Sequence, residues 1–263
     1  MSYFPSANQH GYTDKLVIVQ NPLVSTYLTE LSSPKCHQPR FNSLLKRVYN
    51  LLVHEGINIT LPTELQTNAT RMTSQHPSVL LESQVIKKNS KAVVVDVARA
   101  GMLPSQIMFD TLCQVLDPAL VRQDHIFAAR ATDSENKVTH TELSSAKVGD
   151  DISDAYLFIA DPMGATGNSI CQVLDFYKKK TGTLPKKTLA IHLIVTPEYI
   201  QKVSQCHPDL HILTARVDRG LTKSENMTQL LGKNANMEVG LNDMDYIVPG
   251  AGGVGELINN CYV

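Results

Sequence analysis

Tyr156-Leu157-Phe158-Ile159-Ala160-Asp161-Pro162-Met163-Gly164-Ala165-Thr166-Gly167-Asn168-Ser169 is the stretch on which the reading of this chain turns. Its first five residues form a continuous apolar run, which suits a strand buried on both faces of a parallel sheet. Its last residue opens a helical pattern, Ser169 to Lys179. Between them lies a turn built mostly of small residues. In open α/β sheets, ligands collect beyond the carboxyl ends of the strands. A turn at that place exposes backbone N–H groups, and the helix behind it adds orphan donors and the positive end of its dipole. The hydroxyls of Thr166 and Ser169 can add donors to the same anion, so the stretch predicts a phosphate cradle. Asp161 only accepts hydrogen bonds; it repels phosphate and suits a neutral polyol such as ribose. The plainer alternative is a βα turn with Asn168 or Ser169 as an N-cap. The turn lacks G-x-x-x-x-G-K-[ST], which separates it from the P-loop of ATPases.

Outward from this stretch, strand and helix patterns alternate. Leu16 to Val19 reads as a short strand, and Pro22 opens a helix through Leu31, with proline where a missing N–H costs little. Arg40 to His54 is an amphipathic helix with Leu44, Leu45, Val48, Leu51 and Leu52 at helical spacing and Gly56 as its stop. Residues 57–86 are polar, interrupted by proline and without a clear pattern. Ala92 to Val97 is a buried strand, Pro104 to Leu116 a helix, Ile126 to Ala129 a strand, and 131–150 an exposed β-arm or loop. Thr188 to Val195, Pro197 to Cys206 and Leu210 to Ala215 then read as strand, helix and strand, and the rest is irregular. Such alternation implies βαβ crossovers and a mostly parallel sheet flanked by helices. No linker divides residues 1–263, so one domain is expected, with a loose arm over 1–15 and a C-terminal segment, 218–263, outside the sheet.

The bulk numbers exclude several classes. The chain has 263 residues, 43% hydrophobic and 19% charged, as an ordinary globule does. Lys+Arg is 24 and Asp+Glu is 25, a formal net charge of -1, which argues against a nucleic-acid binder resting on a basic face. Cys36, Cys113, Cys171, Cys206 and Cys261 are dispersed, with no C-x-x-C, so a reducing cytoplasm is expected. The N-terminus carries no signal-peptide pattern, and the apolar runs fall well short of the ~20 residues of a membrane helix. Weaker motifs fail on context. Gly250-x-Gly252-x-x-Gly255 has too few residues after it for a dinucleotide unit. Cys206, His207 and His211 mimic half a zinc site without a second pair. Asp150, Asp151 and Asp154 read as a solvated turn.

Residues Ala160 to Ser169 resemble the phosphoribosyl-diphosphate (PRPP) loop of type I phosphoribosyltransferases, in the form found in uracil phosphoribosyltransferases, where one acid precedes Pro-Met and Ala-Thr-Gly. Many members carry two adjacent acids; the first position here is Ala160. The resemblance continues through Asn21 to Val24 with the helix ending in His54-Glu55, through Ala98-Arg99-Ala100-Gly101-Met102, through Arg130 ahead of the polar arm, and through Tyr246-Ile247-Val248-Pro249-Gly250. These blocks fall in the family's order over most of residues 16–258.

The resemblance implies a type I phosphoribosyltransferase fold with a C-terminal hood, and an enzyme joining uracil to ribose 5-phosphate from PRPP to give UMP and diphosphate. Asp161, Pro162, Met163, Gly164, Ala165, Thr166, Gly167, Asn168 and Ser169 would hold PRPP. Arg99, Arg130 and Asp161 are the implied catalytic residues. The two arginines suit the departing diphosphate because a guanidinium fork meets phosphate oxygens in pairs. Magnesium bound to the substrate would share that charge without a dedicated metal cage. Tyr246, Ile247, Gly252, Gly253 and Val254 are the implied base site, reading uracil edges largely with main chain. A homodimer or tetramer and a GTP effector are further implications.

Two departures stand out. The family's Gly-Asp-Ala-Gly is Gly252-Gly253-Val254-Gly255 here, so Gly253 replaces an aspartate; if that carboxylate limits turnover, Gly253→Asp should raise it. The segment Asp218 to Tyr246 is also much longer than in the family, and could be a lid, a partner surface or an unstructured insertion. Two other readings therefore stand beside the uracil enzyme: a PRPP- or nucleotide-binding regulator with little turnover, and a phosphoribosyltransferase for another base.

Overall fold

In the computed structural model, residues 9–132, 138–149 and 151–261 are described. The described residues form ten strands: β1 (Leu16–Ile18), β2 (Thr63–Asn68), β3 (Leu81–Ile86), β4 (Lys91–Ala98), β5 (Val121–Thr132), β6 (Val138–Lys147), β7 (Ala155–Ala160), β8 (Met163–Gly164), β9 (Lys187–Val195) and β10 (Leu210–Val217). The main sheet runs in the order β1-β10-β9-β7-β4-β5-β6, with β8 added to β9. Every pairing in it is parallel except β5 with β6. The chain enters the centre at β4, steps to β5 on one side, then to β7 on the other. The carboxyl ends of β4 and β7 therefore flank the switch point where such sheets bind ligands.

Helices α1 (Pro22–Leu31), α2 (Arg40–Thr60), α3 (Met102–Val115) and α7 (Val254–Asn259) cover one face, whose core includes Leu44, Tyr49, Val94, Met108, Phe158, Ile191 and Ile258. Helices α4 (Asn168–Thr181) and α5 (Pro197–Cys206) cover the other, over Val93, Val95, Ile126, Leu157, Ile159, Ala190 and Ile212. Alternate residues of β4 thus enter two different cores, which is why Ala92 to Val97 is apolar at every position but Asp96. A short helix, α6 (Ser224–Met227), lies in the segment beyond β10.

The structure departs from the sequence reading at Gly56 and shows order where the sequence has no clear pattern. Gly56 does not stop α2, which runs on to Thr60. A Cβ at Gly56 would stand 2.7 Å from Ile191 Cδ1 and 3.0 Å from Leu189 Cδ2, so the glycine lets the helix lie close on β9. The helix instead ends where Pro62 forces Leu61 into an extended conformation (φ -82°, ψ 145°). Residues 57–86 are ordered as the end of α2 and an antiparallel hairpin of β2 with β3. The polar arm is the β5–β6 antiparallel pair; residues 133–137 and Asp150 lie outside the described residues.

The expected loose arm is fastened at Gly11, whose N–H donates to the Leu231 carbonyl (2.8 Å), and at Tyr12, whose hydroxyl donates to Glu238. Residues 1–8 lie outside the description. The long 218–246 segment is likewise no unstructured insertion. Glu238 is buried and accepts from Arg219, from the Gly232 N–H (2.9 Å) and from Tyr12. Glu198 on α5 accepts from the Gly240 N–H (2.9 Å). Among the described residues no helix is long and apolar enough to cross a membrane.

Candidate active site

The turn 161–169 follows β7 directly and is locked to the end of β9. The Pro162 carbonyl accepts from Leu193 N–H at 2.9 Å, the Gly164 carbonyl from Thr196 N–H at 3.0 Å, and the Ala165 carbonyl from the Thr196 hydroxyl at 2.7 Å. A Cβ at Gly164 would crowd Val195 Cγ1 (2.8 Å) and the Tyr199 ring (3.0 Å), so only glycine lets the turn sit this low. Gly167, at φ 80°, is the N-cap of α4 and makes no side-chain cap; neither Asn168 nor Ser169 fills that position. The alternative of a side-chain-capped βα turn therefore does not describe this helix start. The first-turn amides of Ser169 and Ile170 have no carbonyl of their own helix to meet.

A cleft of about 50 Å³ opens over this turn, lined by Asp161, Met163 to Ile170, Tyr199 and Asp245. Asp161 Oδ1 accepts from the Met163 N–H (3.2 Å), which turns the carboxylate back over its own loop. Thr166 Oγ1 accepts from the Asn168 N–H (3.4 Å). Asp245 comes from the hood, at φ 60° in a turn where Asn242 Oδ1 accepts from the Met244 and Tyr246 amides (3.0 and 2.9 Å). Nothing in the sequence pattern placed it here.

Beneath the turn lies a second residue that the sequence reading missed. His192, in β9, is fully buried; its Nδ1 donates to the Asp161 carbonyl at 2.5 Å and its Nε2 accepts from the Tyr199 hydroxyl at 2.6 Å. Burial pushes its pKa down to about 3, so the ring is neutral. Tyr49 from α2 donates to the neighbouring Ile191 carbonyl at 2.5 Å. The only signal in the sequence is one imidazole interrupting the apolar run Leu189 to Val195.

The Ala98–Met102 loop follows β4 and meets the turn from the side. Gly101 is pressed against the Ala160 carbonyl so closely that a Cβ there would overlap it. Arg99 extends from this loop, its side chain 38% exposed, and its Nη1 donates to the Cys261 carbonyl at 3.2 Å. Arg130 is in β5 opposite Thr141 of β6; its side chain lies outside the described residues.

The segment Tyr246 to Val254 follows Asp245 and packs on the end of β10, where the Arg216 guanidinium donates to the Gly250 carbonyl at 3.1 Å. Asp218, buried at the end of β10, accepts from Arg216 (2.5 and 2.8 Å) and from the Gly250 N–H (2.8 Å). The Val248 carbonyl accepts from the Gly220 N–H at 2.9 Å, and Ile247 bridges to Leu241. Tyr246 is exposed and Ile247 half-buried. Gly252 has φ 73°, and a side chain there would be strained. Val254 is the first residue of α7, not part of an extended strand. Gly255 brings α7 against the Arg99 loop, its Cβ position 3.6 Å from Ala100 Cβ. The 98–102 loop therefore links the two sides: Gly101 meets Ala160, the residue just before the 161–169 turn, and Ala100 meets Gly255 of α7, which follows the 246–254 segment.

Among the described residues no three His, Cys, Asp or Glu side chains converge to hold a metal. His207 Nε2 is turned to the Cys171 carbonyl (3.2 Å) and His211 Nδ1 to the Asp209 carbonyl (3.2 Å). The site carboxylates suit at most an ion whose other ligands come from a bound substrate and water.

The sequence model of the family described as uracil phosphoribosyltransferase matches residues 17–236. The uracil phosphoribosyltransferase of Dictyoglomus thermophilum is 28% identical over 241 residues, 92% of this chain and 97% of the relative. That of Thermus thermophilus is 27% identical over 244 residues, covering 93% and 98%. Among solved structures, the AQ2163 protein from Aquifex aeolicus superposes with a TM-score of 0.68 at 19% identity, covering 94% of this chain and 99% of that one, a likeness of fold.

Proposed function

The chain belongs to the uracil phosphoribosyltransferase family, with its type I phosphoribosyltransferase fold and glycosyltransferase-type activity, and from that premise we propose that it converts uracil and PRPP to UMP and diphosphate. The observation that carries the proposal is the convergence of a small-residue turn on a helix N-terminus, at the end of β7, with the arginine-bearing loop at the end of β4. In this reading the amides of 164–169 and the hydroxyls of Thr166 and Ser169 take the 5-phosphate. Asp161 accepts from ribose hydroxyls, its carbonyl side fixed by His192. Arg99 and Arg130 take the diphosphate.

The C1–oxygen bond of the ribose breaks with its electron pair leaving on diphosphate, C1 bonds to N1 of uracil, and the N1 proton is lost. No covalent intermediate with the chain is required; the residues position the partners and stabilise the leaving charge. Magnesium entering on the diphosphate would supply further charge neutralisation. Ile247 and residues 252–254 would read the base through main-chain groups, so that an amino group in place of a carbonyl leaves a polar atom unpaired. The same proposal includes a cytoplasmic homodimer or tetramer and a GTP effector, tested by sedimentation with and without GTP.

The decisive assay mixes purified protein, PRPP, magnesium and uracil and follows UMP. UMP formation is expected. Saturable PRPP binding without UMP would favour the regulator, and turnover only with another base would reassign the substrate.

A further inference from the structure

Gly253 has φ -76° and ψ 82°, a backbone that any L-residue can adopt. Its glycine is therefore not explained by conformation. The space is occupied instead: a Cβ there would overlap Glu256 Oε2, the far end of a flexible side chain, so a side chain at 253 would displace that carboxylate. The Glu256 carboxylate folds back over position 253 from one turn further along α7. Its other oxygen, Oε1, faces Arg99 Nη2 at 3.8 Å, with the two side chains about one-third exposed (33% and 38%). The same guanidinium donates through Nη1 to the Cys261 carbonyl at the end of the same helix.

Helix α7 is itself anchored. Val254 and Ile258 are buried in the core. Gln38 Nε2 donates to the Leu257 carbonyl at 2.7 Å, and Asn42 Nδ2 to the Ile258 carbonyl at 3.0 Å. A continuous set of contacts therefore runs from α2 through α7 to the fork of Arg99.

We propose that Glu256 is a positioning residue for Arg99, seated in the space left by Gly253, and that it holds the guanidinium in the orientation that receives the diphosphate of PRPP. The inference rests on the phosphoribosyltransferase reading above. An ion pair this exposed adds little to stability; its effect is to restrict where a long, flexible cation points. A free arginine must lose that freedom on binding, and one already held loses less.

The test is a calorimetric titration with two ligands, PRPP and UMP, because only PRPP carries the diphosphate. Glu256→Gln should weaken PRPP about three- to fivefold, the scale of an exposed charge pair, and leave UMP unchanged. Gly253→Ala, which evicts the carboxylate without removing it, should weaken PRPP similarly, and the two changes combined should cost no more than one. In an Arg99→Gln background, Glu256→Gln should have no further effect. The inference is overturned if Glu256→Gln leaves PRPP affinity unchanged or tightens it, if it weakens UMP equally, or if its effect adds in full to that of Arg99→Gln. If the unaltered protein binds neither PRPP nor UMP, the phosphoribosyltransferase reading itself fails and this inference goes with it.

Discussion

Acid should destabilise this protein through His192, by an amount the structure sets. The ring is fully buried, donates from Nδ1 to the Asp161 carbonyl and accepts at Nε2 from Tyr199. A protonated ring would have to give up the Tyr199 bond and carry an uncompensated buried charge. Its folded pKa is about 3, against an ordinary histidine value of 6.5. A buried histidine that resists protonation contributes stability present above the unfolded pKa. That stability is lost as pH falls from 6.5 towards 3, where the unfolded chain binds a proton that the folded one refuses. The slope is roughly 1.4 kcal/mol per pH unit. Because the slope is only half of this at pH 6.5, where the unfolded histidine is half protonated, this group alone should remove about 2 kcal/mol between pH 6.5 and 4.5. Asp96 works in the opposite direction, since burial raises its pKa despite the bond to His125 (2.9 Å). The comparison must therefore be differential. Denaturant unfolding of the native protein and of His192→Gln at both pH values should show the native protein losing about 2 kcal/mol more. Equal losses would refute the reasoning. So would an imidazole resonance from His192 titrating near pH 6.5.

Gly253→Asp should lower turnover, contrary to what its place in the sequence implies, because its Cβ displaces the Glu256 carboxylate from beside Arg99; UMP formation rates decide it. Asp245→Asn should tighten UMP binding, by about two- to fivefold, since it removes a like charge from the cleft that would take the phosphate; titration calorimetry reads the change, and weaker binding would contradict it. Glu238→Ala should destabilise the protein by about 3–5 kcal/mol, as breaking a buried ion pair does, because it strands Arg219; the denaturation midpoint measures it. Gly167→Ala should weaken both PRPP and UMP, since the residue holds φ 80° at the start of α4 and its Cβ would press on Val203 Cγ1 at 3.0 Å. Unchanged UMP affinity would argue against a phosphate at that helix end.

The central sheet was legible because burial leaves a plain mark. Ala92 to Val97 and Tyr156 to Ala160 are apolar at every position but one, as strands covered on both faces must be, and Pro197 to Cys206 forms a helix over the residues its pattern predicts. Gly56 misled because a glycine serves two ends: it can stop a helix, or let one lie close to a sheet, and only the identity of its neighbours tells which. The hood was illegible for another reason. Its order comes from polar contacts among residues far apart in sequence, such as Glu238 with Tyr12 and Asp218 with Gly250, and no local period announces them. The same holds at the site. The 161–169 turn is a local signal, but His192 and Asp245 reach it from β9 and the hood, and Glu256 folds back across a gap that looked merely like a missing acid.

The bond from Tyr12 to Glu238 joins two points 226 residues apart. During synthesis Tyr12 leaves the ribosome 226 residues ahead of Glu238, so the roof can be tied down only after everything between them has emerged. A partly made chain thus has a floor without a ceiling, and a change at Tyr12 should loosen a region that lies 226 residues further along.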